Sequence, residues 1–299
     1  MGSGRVDRVN RSVRDARAKG SELGRNAASR SAELGRTAAN RSAEIGRNMR
    51  NLDVPWARCA PARWVRETIL QFVLAPLMDV YLRPRVIGRE VFRRLPHPVI
   101  LVANHSSHLD TPTILRALPL PWRQRTAVAA AADYFYKKRG VKELVALIFN
   151  TVPLARNGGG VGNGAIDHVD HLIDQRWNLL MFPEGTRSRD GSLGKLRSGA
   201  AVIAQQHHIP IVPIYVKGTH DAMPPGRNWP HKRWLLARRH RVEIHFGPPI
   251  WPGIDEHRSD VMARVRTFLQ SEAGEASPIP QPAPAPPAPV AKRPVSPVV

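Results

Sequence analysis

The sequence predicts an α/β fold: a mostly parallel central sheet flanked by helices. Short β-branched apolar runs recur along the chain, as at Val99–Ala103, Thr126–Ala131, Val152–Leu154, Leu179–Phe182 and Ile209–Val216. Segments of helical spacing separate them, and strand alternating with helix is the pattern of a parallel sheet. The hydrophobic content of 42% in 299 residues is enough for one sizeable packed domain with appendages, or two small ones.

Residues 1–50 form the first segment, with twelve basic and five acidic side chains and few large apolar ones. Ser21-Glu22-Leu23-Gly24-Arg25 returns as Ala32-Glu33-Leu34-Gly35-Arg36 and again as Ala43-Glu44-Ile45-Gly46-Arg47, a period of 11. Eleven residues make close to three helical turns, so Leu23, Leu34 and Ile45 would share one face. A Gly in each repeat costs about 1 kcal/mol of helix stability. The expectation is a segment disordered in water that becomes an amphipathic helix on an anionic bilayer. A solvated basic arm and a thin-seamed coiled coil are the alternatives.

Residues 51–84 change character. Trp64-Val65, Ile69-Leu70, Phe72-Val73-Leu74, Pro76-Leu77-Met78 and Val80-Tyr81-Leu82 are apolar, but Gln71, Pro76 and Asp79 interrupt them. The run falls short of the roughly 20 residues a span needs. Arg63, Arg66, Arg83 and Arg85 flank it, which suggests interfacial helices sunk in one leaflet. A soluble helix covering one end of the sheet is the alternative.

From Arg85 to residue 272 the strand–helix alternation runs. Val86-Ile87-Gly88 opens it as a strand. Val99–Ala103 is short and apolar throughout, as a strand buried on both faces should be. Ser106 or Ser107 is expected to cap a helix passing through Pro112 and ending before Pro119. Helices are expected again at Lys142–Phe149, Ile166–Gln175, Gly199–Ala204 and Arg258–Leu269. Pro210 and Pro213 demote the strand at Ile209–Val216 towards an edge or a bulge, and Val242–Phe246 alternates as a last strand. Residues 273–299 are dominated by Pro and Ala and read as a polyproline-like tail.

Two polar turns carry chemistry. Val99–Ala103 runs into Asn104-His105-Ser106-Ser107-His108-Leu109-Asp110, and Leu179–Phe182 runs into Pro183-Glu184-Gly185-Thr186-Arg187-Ser188. His105 and Asp110 meet only if His105 stands in the turn before the helix and Asp110 in its first turns. An Asp accepting from one ring nitrogen fixes the tautomer and leaves the other as a base. An imidazole titrating near its ordinary value of about 6.5 suits a proton taken from a hydroxyl.

The two turns together resemble the glycerolipid acyltransferase family, the lysophosphatidic acid acyltransferases. His105 to Asp110 matches that family's H-x4-D motif, and Phe182–Ser188 its second signature. Val152-Pro153-Leu154-Ala155-Arg156 is similar to the block ending in a phosphate-binding Arg, and Val212-Pro213-Ile214 to the last block. The resemblance spans roughly residues 85–250. It implies O-acyl transfer to lysophosphatidic acid, giving phosphatidic acid, with acyl-CoA or acyl carrier protein as donor substrate and no other cofactor. It implies His105 and Asp110 as catalytic pair and N-terminal helices that hold the enzyme on the cytoplasmic face of the cell membrane, peripheral or monotopic. Arg156, Glu184, Gly185, Thr186, Arg187 and Lys195 are the expected acceptor-binding residues, the guanidinium groups for phosphate. Another lysophospholipid or glycolipid acceptor stays open.

Composition narrows the classes that compete with this. The net charge is +21 and the pI about 11.4, which predicts anionic partners. No nucleic-acid-binding motif is present, and aromatics are only 6%. Cys59 is the sole cysteine, so no internal disulfide and no multi-Cys zinc site is expected. The start carries no apolar h-region, so no secretory signal is expected. Gly158 to Gly164 lacks the Lys and Ser/Thr of a phosphate loop, and no Gly-x-Ser-x-Gly elbow occurs. The remaining non-enzymatic reading is a basic membrane-surface adaptor, which has no use for a His-Asp pair.

Overall fold

A computed structural model describes residues 37, 40, 52–131, 139–154, 167–227, 229–230 and 239–274. The 11-residue repeats as a unit, the Gly-rich run 158–164, Arg156 and the Pro/Ala-rich tail lie outside the described residues.

Seven strands form one sheet: β1 Leu82–Ile87, β2 Ile100–Ala103, β3 Thr126–Ala131, β4 Thr151–Leu154, β5 Asn178–Met181, β6 Ile211–Lys217 and β7 His240–Phe246. Their order across the sheet is β1-β7-β6-β2-β5-β3-β4. Every neighbouring pair is parallel except β6 with β7. β2 stands fourth, and all four of its residues are buried. Its side chains alternate between two cores, as a period of two demands. Leu101 and Ala103 join Ile114, Leu115 and Leu118 on one face, around helix α3 (Asp110–Ala117). Ile100 and Val102 join Ala200, Ile203, Val261 and Val265 on the other, around α5 (Gly199–Gln206) and α6 (Arg258–Ala273). The unbroken apolar runs of β2 and β5 follow from burial on both faces.

Two expectations change here. β6 is an interior strand despite its prolines. Pro210 precedes it, and the Pro213 carbonyl accepts from Gly247 N (2.8 Å), so the Pro213 nitrogen faces β7. The β7 ladder starts one residue later, at Ile214 opposite Phe246, and the missing N–H breaks no bond to β2. Helix α3 begins at Asp110, later than a serine cap would place it, because Ser106 and Ser107 give their backbone N–H groups to the Asp110 carboxylate.

The segment before the sheet is helical. α1 (Ala60–Ile69) passes through a π turn at Leu70–Leu74 into α2 (Ala75–Tyr81), which leads straight into β1. The buried positions run Ala62, Arg66, Leu70, Ala75, Met78, Leu82. The π turn inserts the one extra residue between Leu70 and Ala75, and this keeps the inward face in phase past Pro76. Arg66 is buried and donates to the carbonyls of Ala57 (2.5 Å), Ala146 (3.3 Å) and Leu147 (2.8 Å). The last two end helix α4 (Arg139–Phe149), where a cation meets the negative end of the helix. Burial first, then the charges of Arg58 and Arg63, pull the guanidinium down to about 10, so it stays charged at neutral pH. A paired contact of Arg116 with Asp79 (2.7 Å on each oxygen) fastens α2 to α3. The outward face is apolar: Trp64, Val65, Phe72, Val73, Leu77 and Val80 are exposed, Phe72 at 73%. Among the described residues, no helix is long and apolar enough to cross a membrane.

Candidate active site

β6, β2 and β5 are adjacent and mutually parallel, so their C-terminal ends share one rim. The crevice outside the carboxyl ends of parallel strands is where open α/β sheets place ligands. Three chain segments leave the sheet there: Asn104–Leu109 after β2, Phe182–Ser198 after β5 and Gly218–Met223 after β6.

Asn104 is the first residue past β2. Its amide donates to the Val216 carbonyl (2.9 Å) and accepts from Val216 N (2.7 Å), continuing the ladder with a side chain in place of backbone. The chain is thereby free to turn, and His105 follows. Its Nδ1 lies 2.9 Å from Asp110 Oδ2. The same oxygen accepts from Ser106 N (2.7 Å) and Ser107 N (2.8 Å), and Thr219 Oγ1 donates to Oδ1 (2.5 Å). Asp110 is fully buried, and a buried carboxylate is tolerable only with this density of donors. An acceptor so engaged assigns the hydrogen of His105 to Nδ1. Nε2 then carries the lone pair, and the His105 side chain is 20% exposed. The ring stacks on Phe182 at 4.1 Å between centroids.

The second turn is locked to the first. Glu184 Oε1 accepts from His105 N (2.8 Å), Oε2 accepts from Gly194 N (2.9 Å), and Ser188 N donates to the His105 carbonyl (2.8 Å). Burial pushes the Glu184 carboxyl above its ordinary value, against the downward pull of those two N–H groups. Gly185 sits at φ +74°, and a Cβ there would crowd the Arg197 guanidinium at 3.2 Å. Thr186, Lys195 and Arg197 line a cavity of about 260 Å³ together with Glu184, Ser188, Ser192 and Gly194. Asp190 organises its rim by accepting from Ser192 Oγ (2.7 Å) and N (3.0 Å) and from Ser188 Oγ (2.9 Å), which hold its carboxyl down at about 2. Desolvation, then the charge of Arg187 and that of His105, hold the His108 imidazole below its ordinary value; Arg187 immediately precedes Ser188, whose N–H binds the His105 carbonyl.

Of the residues expected from sequence, the structure gathers His105, Asp110, Glu184, Gly185, Thr186, Arg187 and Lys195 on this rim; Arg156 lies outside the described residues. Sequence reading passed over Arg197 and Thr219. Arg197 has a weak local signal, standing next to a helix start two residues past Lys195. Thr219 has none, because it stands 109 residues from Asp110.

Residues 83–217 match the family model described as Acyltransferase. The chain is 31% identical over 135 residues to the 1-acyl-sn-glycerol-3-phosphate acyltransferase BAT2, chloroplastic, of Brassica napus, covering 43% of this chain and 36% of that protein. It is 32% identical over 151 residues to the 1-acyl-sn-glycerol-3-phosphate acyltransferase of Limnanthes douglasii, covering 50% of each. The stretch that carries His105, Asp110 and Glu184 is thus similar in sequence to 1-acyl-sn-glycerol-3-phosphate acyltransferases. The chain spans half the length or less of these two curated relatives. Its fold is that of the 1-acyl-sn-glycerophosphate (LPA) acyltransferase PlsC from Thermotoga maritima, with a TM-score of 0.53 at 24% identity over 73% of this chain and 83% of that one.

Proposed function

We propose that the protein transfers a fatty acyl group from a thioester donor, acyl-CoA or acyl carrier protein, to the free hydroxyl of lysophosphatidic acid. The observation that carries this is the His105–Asp110 contact of 2.9 Å, with Nε2 of His105 left as the free base. The relatives' names supply the acceptor class.

In this reading His105 Nε2 takes the proton of the acceptor hydroxyl as its oxygen attacks the thioester carbonyl. The C–O bond forms, the C–S bond breaks, and the proton passes from His105 to the leaving thiolate. Asp110 holds the ring and stabilises the imidazolium. General-base help of this kind contributes about 10²–10⁴ in rate. Arg187, with Lys195 and Thr186 at the cavity, holds the acceptor phosphate; a guanidinium can engage two phosphate oxygens at once. Glu184 fixes the spacing between base and phosphate site.

The exposed apolar face of α1 and α2 supports a second element of the proposal. It lies on an anionic membrane, peripherally, on the cytoplasmic side, and meets a lysophospholipid where that lipid resides. Trp64, Phe72 and Leu77 would enter the acyl boundary while the basic surface meets headgroups.

The test is thioester consumption by the full chain on anionic vesicles with lysophosphatidic acid, for wild type and His105→Ala. Turnover in the wild type that is lost in the variant supports the mechanism. Unchanged turnover in the variant removes His105 as base. Vesicle binding without turnover, across a panel of lysolipids and both donors, would favour a membrane-surface adaptor.

A further inference from the structure

We infer that Thr219 is a positioning residue of the His105–Asp110 pair: its hydroxyl is the donor that fixes the free oxygen of the Asp110 carboxylate. The inference rests on the catalytic reading of His105 given above.

The Asp110 carboxylate has two unequal oxygens. Oδ2 is crowded by His105 Nδ1, Ser106 N and Ser107 N, all belonging to its own turn. Those three contacts leave rotation of the carboxylate about its own bond unopposed on the other side. Oδ1 is held by Thr219 Oγ1 at 2.5 Å, and Ser106 Oγ lies 3.4 Å from the same hydroxyl. Thr219 has 0% exposure, as has Asp110, so bulk solvent does not reach the bond. A donor on Oδ1 sets the plane of the carboxylate, and the plane of the carboxylate sets the direction of His105 Nδ1–H and hence of Nε2.

The backbone around Thr219 is held for this task from several directions. Asn104 clamps Val216 with two hydrogen bonds, of 2.7 and 2.9 Å, at the end of β6. Gly218 then turns the chain at φ +86°, with the place of a Cβ only 2.1 Å from the Arg241 carbonyl. Beyond Thr219, Ser107 Oγ donates to the Met223 carbonyl at 2.7 Å. The turn after β6 is therefore stitched to the His-Asp turn before, at and after Thr219.

The experiment compares Thr219→Val, which removes the hydroxyl at nearly constant volume, with Thr219→Ser, which keeps it. Steady-state thioester turnover gives kcat and KM, and proton NMR follows the low-field Nδ1–H of His105 in the free protein. The expected result is a kcat roughly tenfold or more lower in T219V with KM unchanged, as loss of one charge-assisted hydrogen bond implies. T219S should stay near wild type, and the low-field proton should exchange away in T219V alone. Equal losses in T219V and T219S, or a wild-type kcat and proton signal in T219V, would overturn the inference. If T219V does not fold, T219A takes its place in the comparison. A wild type without turnover refutes the acyltransferase reading, and the NMR comparison, which needs no substrate, still decides the role of Thr219.

Discussion

In the proposed mechanism the chemistry at His105 turns on which ring nitrogen carries the proton, and Asp110 decides it by being surrounded with donors. Asp110→Asn replaces an all-acceptor group with one that must present an N–H2, either to the two serine amides and His105 Nδ1 together or to the Thr219 hydroxyl. The expected result is a loss of about 10²–10⁴ in kcat with the far-UV dichroism unchanged, the range of general-base catalysis being the upper bound of what the pair supplies. Glu184 gives a second residue-level prediction. Its carboxyl is raised above its ordinary 4.5 by burial, so the folded protein binds protons there more tightly than the unfolded chain. Stability from this group is complete below about 4.5 and falls as pH rises through the folded value. In Glu184→Gln that slope should vanish from urea titrations taken between pH 4 and 7. The same substitution sets an amide N–H2 against either His105 N or Gly194 N, and should lower kcat by about 10- to 100-fold, since a buried unmet donor costs about 1–3 kcal/mol.

At the scale of elements, the rim is made by where three parallel strands stop, and turns with special backbone let the chain leave. Gly218 and Gly226 both have positive φ, yet they differ in surroundings. A Cβ at Gly218 would meet the Arg241 carbonyl at 2.1 Å, and one at Gly226 would meet nothing within 4 Å. Gly218→Ala should therefore cost more than about 3 kcal/mol, through strain plus collision with backbone, while Gly226→Ala costs about 1 kcal/mol for the left-handed conformation alone. Urea midpoints of the two variants check the ordering, and a reversed order would mean the turn after β6 is free to shift. The π turn between α1 and α2 is another element-level device, since it alone brings Arg66 and Met78 onto one buried face.

At the scale of the molecule, the proposed membrane contact rests on the exposed apolar face of α1 and α2. Burying a Phe side chain contributes about 1.5–3 kcal/mol. Phe72→Ser removes the most exposed aromatic of the outward face and should weaken partition onto anionic vesicles about tenfold or more in a sedimentation assay, with the urea midpoint unchanged. Deleting residues 1–50, which hold twelve basic side chains, should instead flatten the salt dependence of binding, because screening acts on the charged contribution and spares the apolar one. Equal salt dependence with and without the segment would rule out its electrostatic role.

By itself the sequence determined the strand–helix alternation, the buried central strand and the placing of His105, Glu184 and Arg187 in turns at strand ends. These follow from local causes: β-branched runs make strands, and abrupt polarity after them makes turns. It also put Asp110 five residues from His105, a spacing short enough for chain geometry alone to bring them together. Only the tertiary structure decided the rest. The interior place of β6 depended on which side Pro213 turns its nitrogen. The start of α3 at Asp110 depended on a carboxylate claiming two backbone amides ahead of any serine cap. Arg197 joined the cavity, and Thr219 joined Asp110, because β6, β2 and β5 lie side by side. Strand order is a long-range property, set by how two cores pack on opposite faces of one sheet, and no local pattern in the chain encodes it.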